Sequence, residues 1–179
     1  MLPDQPEITR CASCGTYYWL TDVPVVAELG PFGSVPEDAP EEWTRADELI
    51  ELSLEEYHHA ISEGLGGNHE REVHLRTRAW WVHNDRFRTS EPTGELSEAD
   101  PGFSSAMIAN LLRLYEILPA DDPGARLMKA EIAREVGNFA GSLELLSQKL
   151  PEQYKEAANV IRNLCEQRLR VVHEFRWVR

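Results

Sequence analysis

The chain has 179 residues, a length that fits one domain with a small appendage and can bury a core without disulfides or metal ions. Its apolar content of 42% excludes a disordered chain, and its longest uncharged run (101–112) is too short for a membrane helix. Three cysteines do not make a disulfide framework, so we expect a soluble cytoplasmic protein. The net charge is −13, and residues 1–68 hold 14 acidic and 2 basic residues, which disfavours nucleic acid as a partner and favours a basic protein.

The N-terminal region, residues 1–43, is predicted to form a cysteine knuckle followed by an acidic loop rich in proline and glycine. Cys11 and Cys14 have the C-x-x-C spacing, and Gly15 lets backbone N–H groups turn toward the thiolates, as in zinc ribbons. The aromatic residues 16–20 then favour a short strand. A structural zinc ion takes four ligands, so the pair is either half of a zinc site or two ordinary buried thiols.

The zinc site would need two further ligands, and the sequence leaves their source open. Histidines that are adjacent in a helix point apart, so at most one of His58 and His59 would bind the same ion. A second copy of the chain is another source. Cys165 is predicted to lie on the apolar face of the last helix and is the less favoured ligand. The candidate histidines near the loop GLGGN are His58, His59, His69 and His74.

Residues 44–179 are predicted to form an α-helical domain. Ser53 followed by Glu56 favours a helix restart within the first helical stretch. Residues 89–102 are predicted to form a polar loop that is long enough to be a functional element. The predicted helices, from periodicity and breaking residues, lie at about 45–64, 69–88, 103–118, 124–136, 139–149 and 152–177.

The predicted helix 69–88 carries an apolar stripe that includes two tryptophans and an asparagine. Trp80 and Trp81 are predicted to pack between helices, because large aromatic side chains gain most from burial. Asn84 lies one turn beyond Trp80, so its amide is predicted to be buried and bonded to a neighbouring loop or helix end. Asp85 is predicted to pair with a nearby arginine. A ligand-binding role is the alternative for this stripe.

Residues 125–152 resemble one tetratricopeptide-type repeat, which is a helical hairpin with a characteristic pattern of small residues. Gly137 permits the tight turn, Phe139 fills the space where the helices cross, and small Ser142 lets them approach. An ordinary αα-hairpin fits equally well. Because fewer than three such units are visible, we expect a helical bundle with one repeat-like hairpin at about 124–150. The matching residues are Ala130, Ala133, Gly137, Phe139, Ser142, Leu146 and Pro151.

The sequence does not predict catalysis. The stretch HEREVH (69–74) separates its histidines by five residues, which turns the second by about 140° from the first, whereas the catalytic zinc helix needs a separation of four. No nucleophile motif is visible, and the loop GLGG lacks the patterns that bind nucleotide phosphates. A metal-dependent enzyme is the lesser alternative.

Three segments together resemble a family of uncharacterised bacterial cytoplasmic proteins: PEITRCASCGTYYWL (6–20), LRTRAWWVHND (75–85) and KAEIAREVGNFAGSLELL (129–146). The resemblance implies a cysteine knuckle joined to a tetratricopeptide-like helical region. It also implies relatives with residues before the point that matches Met1, so that a second C-x-x-C upstream is a third source of zinc ligands. The family offers no established activity to transfer.

The predicted function is a non-enzymatic protein–protein interaction or adaptor protein, because grooves between helices bind protein segments. Structural zinc is its predicted cofactor, and a homo-oligomer is compatible with the pattern. The alternative is an immunity or antitoxin protein that neutralises a basic toxin through its acidic surface. Solubility alone is the competing explanation for the acidic residues.

Overall fold

The computed structural model describes residues 6–26, 39–41, 49–88 and 102–172. These residues contain two β-strands and six α-helices, so the prediction of a mainly α-helical fold with a small N-terminal β segment is confirmed. The chain divides into two compact units, Met1–Ser53 and Leu54–Arg179, which are described separately. The predicted division between residues 43 and 44 falls inside the first of these units.

The first unit contains an antiparallel hairpin of two short strands, β1 (Ile8–Arg10) and β2 (Tyr17–Trp19). Ile8 pairs with Trp19, and both side chains are buried on the same face, which is why this register holds. The strand β2 lies within the predicted strand at 16–20. A 3₁₀ turn, Leu20–Asp22, follows it.

The six helices all belong to the second unit, and three of their starts are fixed by side-chain caps. Ser104, Asp122 and Asn138 each accept a hydrogen bond from a backbone N–H in the first turn of the helix that follows. Such caps satisfy N–H groups that have no partner inside the helix. The helices are α1 (Leu54–Ser62), α2 (His69–Arg88), α3 (Ser105–Ile117), α4 (Pro123–Glu135), α5 (Phe139–Ser147) and α6 (Glu152–Glu166).

Helix α4 lies between two hydrophobic clusters and contributes to both. On one side its Ile132 packs with Trp80 of α2 and Leu111 of α3. On the other side its Ala130 packs with residues of α5 and α6, including Leu146 and Ile161. These two clusters therefore share α4, which makes this helix central to the stability of the unit.

The hairpin of α4 and α5 has the local geometry that its sequence requires. Gly137 joins the two helices with a φ of +89°, in the left-handed region that favours glycine. Ser142 is fully buried, whereas Phe139 is only partly buried and lies under the guanidinium of Arg168 at 5.2 Å. The small residue thus lies inside the unit, as close packing of helices demands.

Two predicted helix boundaries differ from the structure. Residues 49–53 are not helical, and α1 begins at Leu54, directly after the predicted restart signal Ser53. The last helix was expected to reach residue 177, but it ends at Glu166. Arg168 has a φ of +57°, and the N–H of Leu169 donates to the carbonyl of Leu164 at 2.9 Å, so a Schellman-type cap closes the helix there. Residues 173–177, and residues 89–101 of the predicted loop, lie outside the described ranges.

Candidate functional site

The two cysteines of the predicted knuckle lie in the loop that connects β1 to β2. The N–H of Cys11 donates to the carbonyl of Thr16 at 2.9 Å, and the N–H of Gly15 donates to the carbonyl of Cys11 at 2.8 Å. Gly15 has a φ of +75°, which a side chain would disfavour. Both thiols are free; Cys11 is partly exposed and Cys14 is exposed. The alternative of two ordinary buried thiols therefore does not describe this loop.

Interactions within the loop connect Cys14 to Thr16 and to the Cys11 thiol. Cys14 Sγ donates to Thr16 Oγ1 at 3.3 Å. Interactions with the Thr16 side chain, the Thr16 backbone and the Cys11 thiol, in that order of size, lower the pKa of Cys14 below its ordinary value. Thiolates are the form that binds soft metal ions, so the loop offers a pair of sulfur ligands to one ion.

The four predicted histidine ligands are not brought together into a metal cluster. Within the described ranges, no group of three or more His, Cys, Asp or Glu side chains could hold a metal ion. His59 and His69 are exposed, whereas His58 and His74 are half-buried on α1 and α2. Burial and the nearby charge of Arg76 lower the pKa of His58.

Cys165, the third cysteine, lies elsewhere. It is buried on α6 among apolar side chains, and its thiol donates to Ser142 Oγ at 3.3 Å. Burial raises the pKa of this thiol, which keeps it protonated. Cys165 therefore serves packing between α5 and α6.

The tryptophan–asparagine stripe of α2 binds a buried carboxyl group that the sequence did not identify. Trp80 Nε1 donates to Glu135 Oε2 at 2.8 Å, and Asn84 Nδ2 donates to Glu135 Oε1 at 3.3 Å. Glu135 is the last residue of α4 and is fully buried. The buried amide of Asn84 thus bonds to a helix end.

The second tryptophan of α2 lies away from this cluster. Trp81 was expected to pack between helices, but it is 43% exposed, because it points about 100° away from Trp80 around the helix axis. The guanidinium of Arg78 lies over its ring at 5.7 Å. Asp85 is exposed on the same helix.

Beside Glu135, the guanidinium of Arg134 is also fully buried, and it binds both its own helix and the segment after α6. It donates to both carboxylate oxygens of Glu131, at 2.6 and 2.9 Å, and to the carbonyls of Leu169 and Val171, at 2.5 and 3.1 Å. Its distance to Glu135 Oε1 is 3.8 Å. The one sequence signal for this role is that Arg134 lies one turn beyond Ala130, on the buried face of α4.

Glu135 has the most strongly perturbed acidity of this cluster. Complete burial is the largest cause that raises the pKa of Glu135, and the negative charge of Glu131 is the second; together they raise it from 4.5 to about 8. The hydrogen bonds from Trp80 and Asn84 and the charge of Arg134 act in the opposite direction and are outweighed. The carboxyl group is enclosed by the fold. The cluster therefore joins α2, α4 and the segment after α6, and it offers no surface on which a substrate could meet this acid.

A cleft of about 450 Å³ lies beside the glycine-rich turn between α1 and α2. Its polar lining includes Asn68, His69, Glu72 and Arg76. Glu72 Oε1 accepts from Arg76 and from Arg113, both at 3.0 Å, and the bond from Arg113 is the largest cause that lowers the pKa of Glu72. The charges in the cleft are thus largely neutralised by one another.

Comparison with protein-family models, with curated proteins and with solved structures found no match for this chain. Of the helices in the described ranges, none has both the length and the apolar character that spanning a bilayer requires.

Proposed function

We propose that this protein is a non-enzymatic interaction protein that binds a segment of another protein on the surface of its helical unit. The observation that carries this proposal is the exposed apolar edge of α3. Ile108 is 38% and Leu112 is 49% exposed, and they lie one helical turn apart. Exposed apolar side chains at such spacing are the anchors that protein partners contact.

The rest of α3 explains why this edge is available. The helix already fills the interior with Met107, Leu111 and Leu114, all fully buried. Folding therefore does not need Ile108 or Leu112, and their exposure has a cost in solubility. A partner that covers them supplies a physical reason for their presence.

The test is affinity purification of the full chain from its native host at near-native expression, followed by mass spectrometry. We expect a partner that is recovered with wild-type protein and lost with Leu112→Glu. Leu143→Glu on α5 is the matched control, because Leu143 is also an exposed leucine on a helix of this unit. Circular dichroism checks that both variants fold. Equal recovery with Leu112→Glu and wild type would reject this surface, and no recovered partner would reject the proposal.

A second candidate function is neutralisation of a basic toxin, and the charge of the first unit favours it. Residues 1–53 contain 11 acidic and 2 basic residues, a net charge of −9, whereas residues 54–179 contain 20 and 16, a net charge of −4. Such a field accelerates association with a basic protein and is screened by salt. If this function holds, the recovered partners are basic domains whose capture falls steeply between about 50 and 500 mM salt. Capture that is insensitive to salt favours the apolar contact.

A further inference from the structure

The loop between β1 and β2 offers a metal ion two sulfur ligands. The chain has three cysteines, and Cys165 is buried in the second unit against Ser142. One copy therefore has two accessible thiols, Cys11 and Cys14. The first unit contains no histidine, and in its described part no carboxylate joins the pair to make a cluster of three. Structural zinc is bound by four ligands in a tetrahedron, so this half-site lacks two.

We propose that one Zn²⁺ ion joins two copies of this chain by binding Cys11 and Cys14 of each copy. A symmetric contact brings the same loop from both copies to one point, and the second copy supplies two ligands with the same geometry. Each of the four thiols loses its proton to solvent when its sulfur binds the ion, so binding is favoured by rising pH. The inference does not depend on the proposed function of the helical unit.

The apolar surface of the first unit supports a second copy as the occupant. Five of the nine large apolar side chains that are exposed in the described ranges belong to this unit, although it supplies only about a fifth of the described residues. Val25 is 80% and Val26 is 77% exposed. Contact between two copies would remove part of this surface from water, which adds to the stabilisation by the metal. The five residues are Val23, Val25, Val26, Leu49 and Ile50.

Charge makes the contact dependent on the metal. Two first units carry −9 each and repel one another, so we expect single copies when no zinc is bound. Four thiolates and one Zn²⁺ together carry a net charge of −2. The exposed Arg10 immediately precedes Cys11, so a cation lies next in sequence to each pair of ligands. Screening by salt weakens the repulsion between the acidic units, so added salt should strengthen the zinc-dependent dimer.

The experiment uses the full chain, reduced with a phosphine, stripped of metal by a chelator and then titrated with Zn²⁺. Light scattering gives the mass and elemental analysis gives the bound zinc. We expect single copies without metal, and dimers with about one zinc per two chains when zinc is added. Cobalt in place of zinc should give the absorption spectrum of a four-sulfur site. Cys11→Ser and Cys14→Ser should lose both the metal and the dimer, whereas Cys165→Ser keeps both.

Other outcomes overturn the inference, and the wild-type measurements suffice to reach them if a serine variant does not fold. One zinc per chain on a single copy would show that this chain supplies its own remaining ligands. The absence of zinc binding, an intramolecular disulfide that persists in reductant, or a preference for a copper(I) ion held by two sulfurs on one copy would each reject the zinc-joined dimer.

Discussion

Glu135 gives the sharpest test of the buried cluster, because Glu135→Gln removes its ability to ionise and keeps its shape. Arg134 lies 3.8 Å from Glu135 but is bonded at 2.6 Å to Glu131, so burial dominates and raises the pKa of Glu135 from 4.5 to about 8. Glutamine fits the site because Asn84 Oδ1 is buried without a hydrogen-bond partner, and rotation of the Asn84 amide lets it accept from the new side chain.

The sign of the pH dependence follows from which state binds more protons. Between pH 4.5 and about 8 the folded protein keeps the proton of Glu135 and the unfolded chain releases it, so the free energy of unfolding falls as pH rises. The contribution is fully present below pH 4.5 and is lost as pH rises through about 8. At about 1.4 kcal/mol per pH unit for one proton, the whole interval is worth at most on the order of 5 kcal/mol.

The assay is urea denaturation of wild type and Glu135→Gln at pH 5, 6, 7 and 8. The difference between the free energies of unfolding of the two proteins at each pH removes the contribution of other titrating groups, including Glu72 and His58. We expect the variant to gain stability relative to wild type by about 1 kcal/mol or more per pH unit in the middle of this range, and by less as the pH approaches about 8. Glu156→Gln, at an exposed position of α6, is the control and should show a flat difference. If the free energies of unfolding of Glu135→Gln and wild type change with pH in parallel, this account of Glu135 is refuted.

Three further substitutions test how α4 is held. Arg134→Met should cost about 3–5 kcal/mol in urea denaturation, because it leaves the partly buried carboxylate of Glu131 and two buried carbonyls without their donor. Lys155→Met, which breaks an exposed ion pair, should cost about 0–1 kcal/mol, and similar losses for the two variants would contradict the contrast. Gly137→Ala should lower the free energy of unfolding, measured by thermal denaturation, by about 1–2 kcal/mol, because residue 137 has a φ of +89°. No loss of stability would mean that the turn relaxes to accept a side chain. Asp122→Ala should cost about 1 kcal/mol, with Asp122→Asn close to wild type, because the side chain accepts from Ala125 N at 2.7 Å; equal costs would reject the cap.

Most helix positions could be predicted from the sequence because their signals are local. The helix predicted at 69–88 is α2, His69–Arg88, and its start follows Asn68, whose side chain accepts from Arg71 N at 2.9 Å. Capping residues and a period of 3.6 lie within a few positions of the feature they determine. The C-x-x-C loop was recognisable for the same reason, since the spacing and Gly15 are contiguous.

The end of α6 could not be predicted because its cause is distant in sequence. A Schellman cap normally uses glycine at the residue with positive φ, and here the residue is Arg168. The apolar pattern continues past it, so the sequence favours a longer helix. In the folded unit, however, Arg134 binds the carbonyls of Leu169 and Val171, and Arg170 Nε donates to the carbonyl of Glu135 at 2.8 Å. These bonds, about 35 residues apart in sequence, offset the local strain.

The positions of the four histidines could not be predicted for a related reason. Sequence proximity placed four histidines near one loop, but exposure and direction on α1 and α2 depend on which helix faces are packed. His59 and His69 face solvent, while His58 and His74 are half-buried. A metal site needs convergent side chains, and convergence is a property of tertiary packing that spacing alone does not report.

The basic residues of α4 show most clearly why residue type alone does not predict which side chains are buried. In sequence, its three basic residues resemble those of a solvated helix face, yet all three are buried and reach backbone carbonyls at the ends of neighbouring helices. The pairs are Arg126 with Lys149 O at 2.8 Å, Lys129 with Leu118 O at 3.2 Å and Arg134 with Leu169 O at 2.5 Å.

Each of these carbonyls lies at or just beyond the C-terminal end of a helix, α5, α3 or α6, where carbonyl groups lack partners within the helix and the helix dipole is negative. A cation from the shared helix satisfies the carbonyl and the dipole together. The burial of three cations, which would cost several kcal/mol if they were unpaired, is thereby offset by bonds that no apolar side chain could make. Because these bonds connect α4 to the ends of α3, α5 and α6, they also fix the orientation of α4. We therefore expect that replacing these cations by apolar residues would loosen the helix ends first, as faster amide hydrogen exchange at the last turns of α3, α5 and α6.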